Sequence, residues 1–228
     1  MRQFSNQTLI KRNGTFGRAM MYLGLGMTIA AAVIVFREPN FILAALILML
    51  IGGLFSQIGT ALVNRFGREP RMDQVIDASL KGLDDRHAVF HYLLGSDHVL
   101  VTPEGIYALI PHLEKGEITY KDGEWFHEKP KGRFSFRSGA RTLRGVEKEA
   151  QRELRSLDRS LEKSLKSSDD LTTGPLLLFI PDDARIGLEN APILATHRKK
   201  LKDTVRSLER GKSLDEEGIK RLAKSVHQ

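Results

Sequence analysis

Carboxylates and imidazoles, not thiols, are the chemically capable side chains of this 228-residue chain, which holds 28 Asp plus Glu, 7 His and no Cys. The lack of Cys excludes disulfides, thiolate zinc sites and cysteine nucleophiles. His87 and His91 share one face of a strand, but two imidazoles without placed carboxylates make a poor metal site. Pro181-Asp182-Asp183 follows the apolar run 176–180, at the strand end where ligands bind in α/β sheets. With no Lys or His close by in sequence, a turn or helix start is the simpler role for it. There is no Gly-x-Ser-x-Gly nucleophile turn. Gly24-Leu25-Gly26 is no phosphate loop, because it falls inside an apolar, uncharged run. Lys115, Lys121, Lys129, Lys131 and Arg133 surround an expected hairpin and are the candidate nucleic-acid contacts. Binding through them would fall steeply with salt.

The elements that must hold these residues begin with a helical stripe at 72, 75, 76, 80 and 83. Strands are expected at 88–94, 98–102 and 106–110, with Pro103-Glu104-Gly105 as a turn. Residues 117–120 and 124–126 flank Lys121-Asp122-Gly123, a strong hairpin signal. Residues 129–141 read as a loop. Leu143, Val146, Ala150, Leu154, Leu157, Leu161 and Leu165 mark a long amphipathic helix whose other face is charged and solvated. A buried strand at 176–180, a weaker strand at 192–196 and a helix at 197–208 follow. Ser213-Leu214-Asp215-Glu216 reads as a capping box opening a final helix. No internal repeat is visible.

Two runs precede this region. Residues 19–36 hold no charge, and neither do residues 39–64. Each is long enough to cross a bilayer core, which takes roughly 17–25 apolar residues. Arg37-Glu38-Pro39-Asn40 joins them as a tight turn, so both ends of the hairpin lie on one side. Gly52, Ser56 and Thr60, spaced by four, form a small-residue ridge suited to close helix packing. The formal charge of +7 is spread unevenly. Residues 1–64 carry Arg2, Lys11, Arg12, Arg18 and Arg37 against Glu38; residues 65–71 add Arg65, Arg68 and Arg71 against Glu69; residues 72–228 are nearly neutral at +1. The basic excess therefore reads as a topology signal that places both termini in the cytoplasm, and as a contact for anionic lipid.

One stretch resembles a known family. Ser96-Asp97-His98-Val99-Leu100-Val101-Thr102-Pro103-Glu104-Gly105-Ile106-Tyr107 is similar to the central motif of nuclease-related (NERD) domains, an Asp-His-x-x-Val strand followed by a Pro-x-Gly turn and a second apolar strand. Gly116-Glu117-Ile118 and Trp125 stand where that family has a Gly and a Trp. The resemblance spans residues 72–210 and implies a restriction-endonuclease-like fold. In such a site carboxylates hold a divalent metal and a Lys assists the attacking water. Asp97 matches the family's metal-binding Asp, and Asp73 falls where its upstream helix has a Glu. The second strand should end in Glu-x-Lys, but Ile110-Pro111-His112 stands there. None of the 28 acids has Lys two positions later. Glu114 and Lys115 lie just beyond the strand.

The expected fold is α/β, a mixed sheet flanked by helices and preceded by an all-α transmembrane hairpin. The expected segments are a basic N-terminal stretch (1–18), the hairpin (19–64), a basic linker (65–71), the NERD-like domain (72–210) and a C-terminal helix (211–228). The expected role is a membrane-anchored, non-catalytic binding or scaffold module. Its partners are the lipid bilayer and a nucleic acid or protein, and no small-molecule cofactor is expected. One alternative is a nuclease using Mg²⁺ or Mn²⁺ at Asp97, Asp73 and Glu114. Another is a membrane structural or assembly protein.

Overall fold

The computed structural model describes residues 1–128, 140–165, 171–188, 190–209 and 211–226. These form two compact units: residues 6–75, and residues 1–5 together with 76–228.

The first unit is a helical hairpin. α1 (Gln7–Arg37) is capped by Asn6, whose side chain accepts from the Leu9 N–H at 2.9 Å. A short turn of helix at Pro39–Phe41 reverses the chain into α2 (Ile42–Leu62), which runs on as a wider π-helical turn at Val63–Gly67. Ile10, Gly17, Gly24 and Ala31 are buried along α1, and Ala45, Gly52, Gly59 and Phe66 along the returning helix of the hairpin. Both rows step by seven, the period of left-handed helix packing. A Cβ added to Gly17 would lie 2.6 Å from Leu62 Cβ, and one on Gly52 would lie 2.8 Å from the Gly24 carbonyl. Gly24 and Gly59 are tighter still, against the backbone of Gly52 and Met21. The helices thus meet backbone to backbone, which only small residues permit. Gly52 and Ser56 lie in this seam, with Ser56 Oγ donating to the Met21 carbonyl at 3.5 Å. Thr60 faces outward, and Gly59 takes the place that a spacing of four assigned to it.

Large side chains cover the outside of the hairpin. Phe36 is 86% exposed, Leu43 70% and Leu50 67%. Only 11% of each apolar stretch is buried, so neither behaves as the core helix of a globular domain.

The second unit is α/β. Its large sheet has the order β1-β2-β3-β4-β8-β10. β1 (Arg2–Ser5) lies parallel to β2 (Ala88–Leu94), pairing Arg2 with Ala88. β2, β3 (Ser96–Thr102) and β4 (Gly105–His112) form an antiparallel meander. β8 (Thr173–Phe179) runs parallel to β4, and β10 (Leu194–His197) parallel to β8. The small sheet has the order β7-β6-β5-β9. Its members are β5 (Glu117–Lys121), β6 (Glu124–Glu128), β7 (Ala140–Thr142) and β9 (Arg185–Leu188). Asp122 and Gly123, both at positive φ, form the β5–β6 turn.

One face of the large sheet (Phe90, Leu94, Val99, Val101, Ile106) packs against Leu157 and Leu161 of α4 (Val146–Ser164). Ile219 and Leu222 of α6 (Glu216–Ser225) join them. The opposite face carries His91 and His98 beneath α3 (Met72–Leu80). α5 (Leu201–Arg206) buries Leu201 and Val205. A second cluster joins Ile118 and Trp125 of the small sheet to Ile110, Leu177, Phe179, Val146 and Ala150.

Several sequence expectations need correction. Residues 1–18 are not one segment: 1–5 are a strand of the α/β unit and the rest begins α1. Residues 211–228 are not a separate segment either, because α6 is part of the main core. Its cap is Asp215, accepting from the Gly218 N–H at 2.7 Å, two residues past the expected Ser213. β9 was not expected.

Candidate functional site

The most ordered polar arrangement lies where β2 and β3 bend. The register between them shifts from His91 to Leu94, and Tyr92 sits at φ 59°. Strand alternation turns His91 and His98 to the same face, and their Nδ1 atoms lie 2.8 Å apart. His91 Nε2 reaches Asp77 Oδ1 of α3 at 3.1 Å. His91 and His98 are both buried. At the Asp77 contact the carboxylate accepts and Nε2 of His91 donates; between the two Nδ1 atoms one ring donates and the other accepts. The arrangement ties α3 to the sheet through buried polar contacts. The expectation that His87 and His91 form one strand-face pair does not hold. His87 precedes β2 and bonds Asp84 at 2.7 Å, while His91 has its own partners.

The acids of the nuclease alternative have separate commitments. Asp73, at the start of α3, is buried and gripped by the Arg71 guanidinium through two contacts of 3.1 Å. Asp97 is the second residue of β3 and is half-buried. The β3–β4 pairing ends at Val99 and Ala108, two residues short of Asp97 and Ile110. Glu114 Oε2 accepts from His112 Nδ1 at 3.2 Å. That contact, opposed by burial and aided by His127, holds the Glu114 carboxyl below its ordinary range. Among the described residues, no three His, Cys, Asp or Glu side chains come together to hold a metal ion.

Two of the basic candidates are described. Lys115 and Lys121 are exposed and flank the two ends of β5. Lys121 shares an open groove of about 410 Å³ with Glu117, Asp122 and Glu128, so the described part of the hairpin mixes both signs. Lys129, Lys131 and Arg133 lie outside the described residues.

Sequence reading missed two clusters. At the carboxyl ends of β4 and β8, His112 stacks on Phe179 with ring centroids 5.3 Å apart. Buried His112 Nε2, His127 Nδ1 and Trp125 Nε1 lack hydrogen-bond partners. Beyond β8, Asp182 does have cationic partners: Arg198 and Lys199, each at 2.8 Å. They hold its carboxyl at about 2. Spacing could not reveal them, because β10 brings them back from sixteen residues on.

Compared with family models, curated proteins and solved structures, the chain matches none.

Proposed function

We propose that the chain is a membrane-anchored, non-catalytic binding or scaffold module. Its α/β unit works in the cytoplasm and its hairpin crosses the bilayer twice. The observation that carries this reading is the hairpin's surface: large apolar side chains face outward while glycines fill the seam, as lipid and not water demands. Connectivity adds to it. The hairpin is inserted between β1 and the remainder of one α/β unit, so both its ends leave the same unit and lie on the same side. The basic residues at those ends favour the cytoplasmic side.

The non-catalytic part rests on Ile110-Pro111-His112, where the NERD-like resemblance calls for Glu-x-Lys, and on Asp73 being tied to Arg71. The helix, three-strand meander, helix and strand of α3, β2–β4, α4 and β8 agree with the restriction-endonuclease-like order that the resemblance implies.

The absence of native Cys makes the topology test clean. Single cysteines at Glu38 and at Lys115 should react with impermeant maleimide from opposite sides of sealed vesicles. Labelling of both from one side would reject the two-span reading. Full-length protein in detergent with Mg²⁺ or Mn²⁺ should cleave DNA and RNA no faster than its Asp97→Ala variant. Metal-dependent cleavage lost in that variant would restore the nuclease.

A further inference from the structure

Within the α/β unit, the first turn of α4 opens onto a hollow of about 490 Å³, walled by β6 on one side and by the chain leading from β7 into α4 on the other. An α-helix leaves its first N–H groups without an acceptor of its own. In α4 the first helical bond runs from the Glu149 N–H to the Gly145 carbonyl at 2.8 Å, so the N–H groups of Val146, Glu147 and Lys148 stand outside the ladder. An N-cap side chain ordinarily accepts from one of them. Here the N-cap is Gly145, at φ 88°, which has no side chain to do so. Among the described residues none accepts from these three groups.

A helix end alone would say little, but Trp125 adds an independent observation. It lines the same hollow, is 2% exposed, and its Nε1–H has no partner. Tyr120, Val146 and Ala150 account for the packing of its ring, not for its donor. A buried indole usually finds an acceptor, and an unpaired buried donor is costly. A Cβ built on Gly123 or on Gly145 would meet nothing within 4 Å, so there is open space beside the helix end.

The rim carries both signs. Arg144 and Lys148 are exposed on it, and so are Glu124 and Glu147, with Glu124 Oε2 accepting from Thr142 Oγ1 at 3.5 Å. Rim charge therefore does not choose the ligand. The fixed groups do: three backbone N–H groups and one indole N–H all donate, at the positive end of a helix dipole. A donor-only set selects a ligand that only accepts. A carboxylate brings two oxygens to it, whereas a phosphate monoester brings three, on a tetrahedron and with more charge. The volume lies in the range of small-molecule sites.

We infer that this hollow binds the phosphate group of a small phosphomonoester, with the α4 N–H groups and Trp125 Nε1 as fixed donors and Arg144 and Lys148 as cations at the rim. The inference stands whether or not the hairpin spans a bilayer.

Trp125 is the sole tryptophan of the chain, so its emission reports on the site directly. Titration of the full chain in detergent with inorganic phosphate, at constant ionic strength, should change that emission and saturate. Chloride and acetate should leave it unchanged. Arg144→Gln with Lys148→Gln, both on the surface, should raise the half-saturating phosphate concentration about tenfold. Trp125→Phe keeps a ring in the core and removes the N–H. By titration calorimetry it should bind phosphate about tenfold or more weakly, the least expected of a hydrogen bond to a charged acceptor. A native chain without a saturable change overturns the inference, as does an equal response to acetate. Half-saturation unmoved in the double Gln variant overturns it too, and that variant decides the matter where Trp125→Phe does not fold. A folded Trp125→Phe chain that binds phosphate like the native one also overturns it. Dimethyl phosphate bound as well as phosphate overturns it by assigning the hollow to the phosphodiesters of lipid or nucleic acid.

Discussion

The leucines of the α/β core are buried, whereas leucines of the hairpin stand on its outside. In the α/β unit Leu157 and Leu161 are no more than 1% exposed. In the hairpin Leu43 and Leu50 are outside, and Gly17, Gly24, Gly52 and Gly59 are inside. The α/β unit is held by apolar area removed from water, which favours large side chains in the interior. The hairpin surface offers no such gain if lipid surrounds it, so close backbone approach and van der Waals packing decide what sits inside. The residue types are shared; the solvent each unit answers to is different.

The strongest break of this comparison is a paired truncation. Leu157→Ala should cost the α/β unit about 2–5 kcal/mol, the range for an emptied core site. Leu50→Ala in the hairpin should cost the membrane-embedded protein almost nothing. Equal losses in chemical unfolding of the reconstituted chain would mean that Leu50 is packed against protein.

The seam is probed in the opposite direction, by enlargement. Gly24→Leu drives a side chain into the backbone of Gly52 and Ser56. It should weaken the hairpin by about 1–3 kcal/mol. Gly26→Leu, where nothing lies within 4 Å, should be tolerated. Distances between labels on α1 and α2 would report the difference, and similar responses would reject the seam.

Polar burial sharpens the α/β side. His98→Phe leaves His91 Nδ1 buried without its partner and should cost about 1–3 kcal/mol. A stability unchanged from wild type would show that the Asp77–His91–His98 chain holds nothing in place.

The smallest expected effect is at the surface. The Arg86 guanidinium, with help from His87, holds Asp84 at about 2, below the ordinary 3.8. A folded value below the unfolded one contributes stability above about pH 4, which is lost as pH falls towards 2. The stability gap between wild type and Asp84→Asn should be constant above pH 4 and close below it. Because Asp84 is half-exposed, the gap is small. A gap that widens on acidification would reverse the assigned sign.

The sequence made the strands from 88 to 128 legible because each is short, rich in β-branched and aromatic residues, and set off by Gly- or Pro-containing turns. It made both long helices of the hairpin legible by their lack of charge. The seam was half-read: a spacing of four found Gly52 and Ser56, but the period of seven runs through both helices, and only their pairing shows that Gly59, not Thr60, belongs to it. β1 was missed because Arg2–Ser5 has no pattern of its own; its identity as a strand comes from a partner at 88–91. The clusters at His112 and Asp182 were missed for the same reason, since each is assembled from segments far apart in sequence.

The position of β1 has a consequence for biosynthesis. In the two-span reading, Arg2–Ser5 leaves the ribosome before the hairpin, and β2, the strand it must pair with, is made only after the hairpin has been threaded. The outermost ladder of the sheet can then close only if the second span has returned the chain to the compartment where β1 waits. A hairpin that fails to turn back strands β1 across the bilayer and leaves the β2 edge open to other chains. In that reading, the sheet of the α/β unit remains unfinished until the two ends of the loop meet.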